Sequence, residues 1–148
     1  MEKLKIIGGK RLSGTISCSG AKNAALPMLA ATILTDKPVT FKNLPYLQDI
    51  TTMFEILGSM GADITLNENM DFKISTANLH DFEARYELVK TMRASILVLG
   101  SLVARHGFAR IALPGGCAID TRPVDFHLSA LEQLGAKIEL KNGYIEAS

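Results

Sequence analysis

The sequence lacks tryptophan and has only two cysteines, Cys18 and Cys117, which lie too far apart for a metal-ligand motif. One pair of thiols is also not the disulfide framework of a small secreted protein. No apolar run approaches the roughly 18 residues of a membrane-spanning helix, and none of signal-peptide length follows Met1. We therefore expect a cytoplasmic protein with free thiols and no membrane partner.

An excess of charge of one sign is also missing, because 16 Lys and Arg oppose 15 Asp and Glu and leave a net charge of +1. This balance excludes the strong basic field of a nucleic-acid-binding protein. No Walker loop, Gly-x-Gly-x-x-Gly motif or zinc spacing occurs. The sequence thus predicts no nucleic-acid partner, no metal and no cofactor, and its 148 residues fit one domain.

The apolar pattern predicts alternating helices and strands, and hence an α/β (α+β) fold. Helices are expected at 22–34, 49–60, 89–104 and 124–134, the last with Val124, Leu128, Leu131 and Leu134 on one apolar face. Short strands are expected at 39–41, 63–66, 72–74, 109–113, 137–140 and 144–146, and a hairpin at 4–17.

An internal repeat is visible in the sequence. Residues 57–64 (LGSMGADI) match 131–138 (LEQLGAKI), and the helix at 22–34 corresponds to 93–104. We infer lead-in strands at 1–21 and two copies of one unit, at about 22–78 and 88–148. Two copies leave apolar helix faces uncovered, which invites self-association.

Lys22 and Asn23 follow a glycine turn and open a predicted helix. Helix N-termini attract anions, and a lysine with an amide suits a phosphate or carboxylate. The alternative, which the pattern alone favours, is a solvated lysine beside an N-capping asparagine. Arg93 lies in an otherwise apolar helix and needs an anionic partner, either a substrate or an acidic residue at 81, 83 or 87.

Cys117 ends the loop 114–117 (PGGC) after a predicted strand. The two glycines let the backbone approach a ligand closely, and Arg122 or His127 nearby would favour the reactive thiolate. The alternative is a small buried thiol that only packs. Cys18 lies at the end of a predicted strand, where a role in packing alone is favoured.

Residues 122–127 (RPVDFH) open the last predicted helix. Pro123 suits the first helical turn, and Asp125 suits the positive end of the helix dipole. Arg122 could hold a diphosphate through two hydrogen bonds. The alternative for His127 is a side chain on the polar face of the helix.

Four ordered motifs resemble those of the enolpyruvyl transferases, and within them the branch that uses UDP-N-acetylglucosamine in bacterial peptidoglycan synthesis. They are 20–27 (GAKNAALP), 86–95 (YELVKTMRAS), 113–117 (LPGGC) and 122–125 (RPVD). The sister 5-enolpyruvylshikimate-3-phosphate synthases share the fold but lack the Gly-Gly-Cys loop. The resemblance implies part of one lobe of a two-lobed, inside-out α/β barrel.

The resemblance also implies a reaction without metal, in which the sugar 3-hydroxyl adds to phosphoenolpyruvate and phosphate is then lost. Lys22 and Asn23 would hold phosphoenolpyruvate, and Arg93 would serve the same anion or the nucleotide sugar. Cys117 would protonate the methylene carbon, form a covalent adduct with phosphoenolpyruvate and react with the epoxide fosfomycin. The UDP-sugar would be contacted by Arg122, Pro123, Val124, Asp125 and Phe126, with His127 close by.

Two departures from the family pattern bear on function. Asp120 replaces a typical glycine three residues after Cys117, where it would alter the loop or disfavour the thiolate by repulsion. The chain also spans only the lead-in and two units, so we expect a piece of a longer enzyme that does not turn over by itself. The alternatives are a non-catalytic binding or assembly module and the sister shikimate-pathway activity.

Overall fold

Five α-helices and seven β-strands alternate along residues 3–113 and 124–148, the part of the chain that the computed structural model describes. The helices are α1 (Lys22–Ala31), α2 (Gln48–Ser59), α3 (Tyr86–Val89), α4 (Leu97–His106) and α5 (Asp125–Gln133). Two 3-10 turns, Thr32–Leu34 and Arg93–Ile96, extend α1 and precede α4. The strands are β1 (Val39–Phe41), β2 (Asp63–Leu66), β3 (Phe72–Ser75), β4 (Glu83–Ala84), β5 (Ala109–Ala112), β6 (Ile138–Lys141) and β7 (Tyr144–Ala147). The predicted α/β fold is confirmed.

The strands form two sheets that share one order. The first sheet is β1-β3-β2, with both pairings antiparallel. The second repeats this order as β5-β7-β6 and adds β4 parallel to β5. The two middle strands carry the buried side chains of Ile74 and Ile145. Two copies of one unit would produce this arrangement, and the division at 22–78 and 88–148 stays a prediction.

Helices supply most of the core, because α1 packs against both α2 and α4. The largest fully buried side chains include Leu29 of α1, Met53 and Leu57 of α2, and Leu99 and Leu102 of α4. Removing each of them from water contributes about 1.5–3 kcal/mol. None of the described helices is both long and apolar enough to cross a membrane.

Arg105, in the last turn of α4, joins the two halves of the chain. Its Nη1 atom lies 2.8 Å from the carbonyl oxygens of Ile33 and Thr35 and 3.2 Å from that of Thr76. The Thr76 hydroxyl donates to the Thr32 carbonyl at 2.8 Å. Carbonyls at the end of a helix have no donor further along it, so the guanidinium satisfies them and stabilises the negative end of the dipole.

The same contacts fix the direction of the helices. The C-terminal end of α4 touches the C-terminal end of the helix at 22–34, and the two helices pack along each other, so they run parallel. An ion pair between Lys22 of α1 and Asp49 of α2 brings the starts of those helices together. The helices α1, α2 and α4 therefore all begin at one end of the molecule.

His106, the last residue of α4, stacks on Phe82 with ring centroids 4.5 Å apart. Burial, and secondarily the charge of Arg105, lowers the pKa of His106 below its ordinary value of 6.5. The folded chain therefore favours the neutral imidazole. Stability from this group is complete at neutral pH and decreases as the pH falls below 6.5.

The predicted hairpin at 4–17 is wrong for this chain, because residues 3–20 form no hydrogen-bonded strand. A two-stranded hairpin is marginal in water without a sheet or core to pack on, and no described element covers these residues. Side-chain exposure reaches 81–92% at Leu4, Ile6, Ile7, Leu12 and Ile16. The role of residues 1–21 as strands that join a second lobe stays a prediction.

The long helix predicted at 89–104 is interrupted. Helix α3 ends at Val89, and Met92 has an extended backbone with φ −145° and ψ 108° before the 3-10 turn that leads into α4. The break buries the Met92 side chain in the core. The short strand β4 was not predicted, because two residues show no periodicity.

The apolar face predicted for α5 is only partly correct. Val124, Leu128 and Leu131 pack against the core, but Leu134 is 84% exposed. Leu134 is the C-cap residue, one position beyond the last residue of α5. Among the described residues no element packs over this end of the helix.

Ion pairs cross one face of the second sheet. Arg110 of β5 lies 2.8 Å from the Glu83 carboxylate on β4 and 3.3 Å from Glu146 on β7. Its guanidinium also lies 4.0 Å from the centre of the Tyr144 ring. Hydrogen bonding to Glu83 raises the pKa of Arg110, so the cation is kept in the folded state.

We expect Arg105→Ala to destabilise the fold by about 2–3 kcal/mol, because three carbonyl groups lose a charged donor in a partly buried place. Arg105→Lys should recover part of this loss, since lysine keeps the charge but not the planar fork. Urea and thermal unfolding followed by circular dichroism measure the effect. The control is Arg85→Ala, which removes an exposed arginine paired with Asp81 and should cost less than about 0.5 kcal/mol. Equal stability of Arg105→Ala and the unchanged chain would contradict the role of Arg105.

A second prediction concerns Glu139 on β6. Hydrogen bonds from Lys137, at 2.6 Å, and Lys141 lower the pKa of Glu139 from 4.5 to about 2. Because the folded pKa lies below the unfolded one, the stabilisation is complete above pH 4.5 and is lost as the pH falls towards 2. We expect Glu139→Gln to flatten the decrease in melting temperature across this window, with the exposed Glu132→Gln as control. An unchanged acid limb would show that these pairs contribute nothing to folding.

Candidate functional site at the helix N-termini

Four helices begin at the same end of the molecule. The starts of α1, α2 and α4 lie together, as the contacts of Asp49 and Arg105 require. Helix α5 lies beside α4: a Cβ at Gly100 would lie 3.8 Å from Leu131, and the starts of both helices line one groove. The positive ends of four helix dipoles therefore point to one region.

None of these four helices begins with a side chain that caps it, within the described part of the chain. The N-cap positions hold Ala21, Leu47, Met92 (before the 3-10 turn) and Val124. Ser, Thr, Asp and Asn normally satisfy the first N–H groups of a helix. The alternative in which Asn23 caps α1 is wrong, because Asn23 is the second residue of that helix. These N–H groups suit a bound anion.

Lys22 is the first residue of α1, and its Nζ atom lies 2.7 Å from Oδ2 of Asp49 in the first turn of α2. The two side chains keep 42% and 33% of their exposure, so the pair faces solvent. Asn23 is exposed at the same helix start. A lysine and an amide thus lie beside helix N–H groups, as the sequence predicted.

The chain before α1 is held by the loop after β1. Asn43 adopts a positive φ of 57°, and its Nδ2 donates to the Cys18 carbonyl at 3.1 Å. A methyl group on Gly20 would overlap the Asn43 carbonyl oxygen and lie 3.3 Å from Pro45 Cδ. Only glycine allows this approach. Gly20 and Asn43 therefore fix the point from which Lys22 begins the helix.

Arg93 begins the 3-10 turn that leads into α4, so it lies at the same end of the molecule as Lys22. It is partly buried. The three acidic residues that the sequence offered as its partners each pair with another base, Asp81 with Arg85, Glu83 with Arg110 and Glu87 with Lys90. Arg93 has an interaction of its own as well. Arg93 brings a second cation to the helix starts.

Val124, Asp125, Phe126 and His127 occupy the start of α5 at this same end. Phe126 and His127 face α4 across an apolar groove of about 270 Å³, whose opposite wall includes Ile96 and Leu97. Phe126 is 83% exposed and Asp125 is exposed in the first turn. The start of α5 thus borders the groove beside α4, near the 3-10 turn that Arg93 begins.

Cys117, Arg122 and Pro123 lie outside the described residues, as do Asp120 and the rest of segment 114–123. Strand β5 ends at Ala112, and Val124 is the N-cap of α5 at the helix-start end. The contacts assigned to these residues by the resemblance stay predictions.

The chemistry available at this end is that of cations and N–H donors. In residues 3–113 and 124–148, no group of three or more His, Cys, Asp or Glu side chains is arranged to hold a metal ion. Lys22, Arg93 and the helix N-termini together suit a ligand with several negative charges.

Two residues of this end, Asn43 and Asp49, were not predicted from the sequence. Both lie far from Lys22 in sequence, so only the fold brings them together. One feature of the sequence marks this end of the molecule. The N-cap position, where Ser, Thr, Asp or Asn is expected, holds an apolar residue at four helix starts: Ala21, Leu47, Met92 and Val124. The first N–H groups of these four helices therefore have no side-chain acceptor at the N-cap position.

The chain is similar to known proteins along almost its whole length. Residues 6–148 match the family profile described as EPSP synthase (3-phosphoshikimate 1-carboxyvinyltransferase). The UDP-N-acetylglucosamine 1-carboxyvinyltransferase of Halorhodospira halophila is 57% identical over 146 residues, and that of Coxiella burnetii is 55% identical over 148 residues. These alignments cover 99% and 100% of this chain but only 35% and 34% of the relatives. The chain therefore spans about a third of their length.

Two solved structures share the fold. The enolpyruvyl transferase NikO from Streptomyces tendae has a TM-score of 0.76 at 25% identity, over 95% of this chain and 31% of that one. EPSP synthase from Acinetobacter baumannii has a TM-score of 0.66 at 16% identity, over 91% of this chain and 32% of that one. The arrangement of helices and sheets is thus the one found in these transferases.

We expect Gly20→Ala to destabilise the chain and to displace the start of α1, because the added methyl group meets the backbone of Asn43. Amide chemical shifts of Lys22 and Asn23, together with the melting temperature, report the effect. The control is Gly58→Ala in α2, where an added Cβ meets nothing within 4 Å. This substitution should stabilise the helix by about 0.5–1 kcal/mol. Unchanged shifts at Lys22 in Gly20→Ala would contradict the close approach.

Proposed function

Because this chain belongs to the EPSP synthase (3-phosphoshikimate 1-carboxyvinyltransferase) family, we propose that it supplies part of the active site of an enolpyruvyl transferase. The reaction transfers the enolpyruvyl group of phosphoenolpyruvate to the 3-hydroxyl of UDP-N-acetylglucosamine and releases phosphate, as the first committed step of peptidoglycan synthesis. The observation that carries the proposal is the group of four helix starts without side-chain caps. Lys22 and Asn23 lie at the start of α1, and Arg93 begins the 3-10 turn that leads into α4. The names of the two curated relatives support UDP-N-acetylglucosamine as the acceptor.

Phosphoenolpyruvate carries a phosphate and a carboxylate close together, and binding it requires several donors in a small space. Lys22 and Asn23 hold this substrate beside the start of α1, and Arg93 supports the same anion or the diphosphate of the nucleotide sugar. The dipoles of α1, α2 and α4 add to the attraction. Placed in this way, the donors neutralise charge where phosphate departs.

The nucleotide sugar occupies the region where α5 begins. Phe126 and His127 border an apolar groove beside α4, which suits the flat face of a nucleoside base. Val124 and Asp125 lie on the same turn, and we assign Arg122 and Pro123 to the same substrate. A base in the groove would place its diphosphate towards the helix N-termini.

Cys117 is the proposed acid. In the addition step, the sugar 3-hydroxyl oxygen bonds to C2 of phosphoenolpyruvate, its proton passes to a base, and the Cys117 thiol protonates C3. In the elimination step, the C2–O bond to phosphate breaks and C3 loses a proton, which restores the double bond. Protonation of C3 needs an acid at a fixed place, and the same thiol accounts for adducts with phosphoenolpyruvate and with epoxides.

The relatives are about three times as long as this chain, and this difference limits the activity that we expect of the isolated chain. We propose that its 148 residues do not turn over without the rest of the enzyme, since the lead-in and two repeat units form only part of a lobe. Exposed apolar side chains of the lead-in favour self-association of the isolated chain. We also propose that the enzyme acts in the cytoplasm.

Titration of the labelled chain with phosphoenolpyruvate tests the proposal by nuclear magnetic resonance. We expect shifts at Lys22, Asn23 and Ala24 and weaker binding, by about tenfold to a hundredfold, in Lys22→Ala, because charge-assisted hydrogen bonds are lost. The control is Lys73→Ala, which removes an exposed lysine from β3. Shifts spread over the surface, or unchanged affinity in Lys22→Ala, would overturn the proposed substrate site.

Epoxide labelling followed by mass spectrometry tests the thiol separately. We expect fosfomycin to modify Cys117 and to spare the exposed Cys18, and we expect Cys117→Ser to abolish the modification. Equal labelling of both cysteines would assign the reaction to simple exposure. Phosphate release by the isolated chain at the rate of a complete enzyme would contradict the claim that it is inactive alone.

A further inference from the structure

Asp49 is the acidic group that lies against the proposed substrate site. Its Oδ2 atom is 2.7 Å from Lys22 Nζ, and this contact connects the first turns of α1 and α2. Asp49 is not one of the residues assigned to either substrate. A carboxylate so close to an anion site would repel the substrate unless the Lys22 ammonium offsets its charge.

We propose that Asp49 is a positioning residue, which holds the Lys22 ammonium at the start of α1 so that the lysine meets phosphoenolpyruvate in one orientation. This inference rests on the proposed function. No side chain caps the start of α1, where Lys22 lies. The long Lys22 side chain loses much rotamer freedom when it is held in one conformation. A contact that fixes it before the substrate arrives lowers the cost of binding.

The geometry allows Asp49 and the substrate to share Lys22. An ammonium group has three N–H donors, and Asp49 needs one of them. Both side chains remain partly exposed, at 42% and 33%, so the other donors can reach a ligand from solvent. Pairs of this exposure bind weakly, and a dianionic ligand with helix N–H groups around it competes well for the lysine.

An acidic residue in the first turn also stabilises its own helix through the dipole, whatever its neighbours are. Glu55 in the middle of α2 offers a control for net charge, because it is exposed on the same helix. Asp49→Glu keeps the charge on a longer arm, and Asp49→Asn keeps a hydrogen-bond acceptor without the charge. These variants separate the position of Lys22 from the stability of α2.

The experiment measures phosphoenolpyruvate binding to the 148-residue chain by chemical-shift titration, with melting temperatures recorded for every variant. We expect Asp49→Ala to weaken binding three- to tenfold, with Asp49→Asn in between and Asp49→Glu close to the unchanged chain. Glu55→Ala should bind as the unchanged chain does. In the double variant Lys22→Ala, Asp49→Ala, removal of Asp49 should have no further effect, since its action passes through Lys22.

Three results would overturn the inference. Equal or tighter binding in Asp49→Ala, with Lys22→Ala still defective, would remove Asp49 from its role and leave the proposed function intact. A loss of binding that follows the melting temperature across all variants, Glu55→Ala included, would make Asp49 a stabiliser of α2 only. Absence of phosphoenolpyruvate binding at Lys22 in the unchanged chain would overturn the proposed function together with this inference.

Discussion

The contact of the Arg105 guanidinium with the carbonyl groups of Ile33, Thr35 and Thr76 fixes how the two halves of the chain meet. Apolar burial between α1 and α4 tolerates small rotations and shifts, because it has little directional preference. Hydrogen bonds from a planar cation have direction and length. They set the helices side by side and parallel, with their carbonyl ends satisfied and their N–H ends gathered on the opposite side.

The grouping of the helix starts depends on the contacts at the opposite ends of the helices. Once α1 and α4 are parallel, Lys22 and Arg93 lie at the same end of the molecule, although about 70 residues separate them. A chain of antiparallel helices would alternate positive and negative dipole ends and could not concentrate donors in one place. The two sheets repeat one strand order, β1-β3-β2 and β5-β7-β6, so each half of the chain carries the same strand arrangement.

Periodicity predicted α2, α5 and six of the strands well, because most of them carry an apolar stripe or an alternation that ends at a glycine or turn. It failed where structure depends on distant partners. The segment 4–17 has the composition of a hairpin but no described element to cover it, and Met92 breaks a helix because its side chain enters the core. Lys22, Asn23 and residues 124–127 were predicted for the site, whereas Asp49 and Asn43 needed the fold, since nothing in the sequence links them to Lys22.

The alternating charges of β6 have a consequence for the solution behaviour of the protein. This strand is the outer one of its sheet among the described residues, and its free N–H and C=O groups could template a strand from another molecule. Lys137, Glu139 and Lys141 form a row of opposite charges along it, which an incoming strand would have to dehydrate or match. Because Glu139 keeps its charge down to about pH 2, the edge remains zwitterionic in mild acid. Fibrillar growth by strand addition at β6 is therefore opposed from neutral pH down to about pH 2.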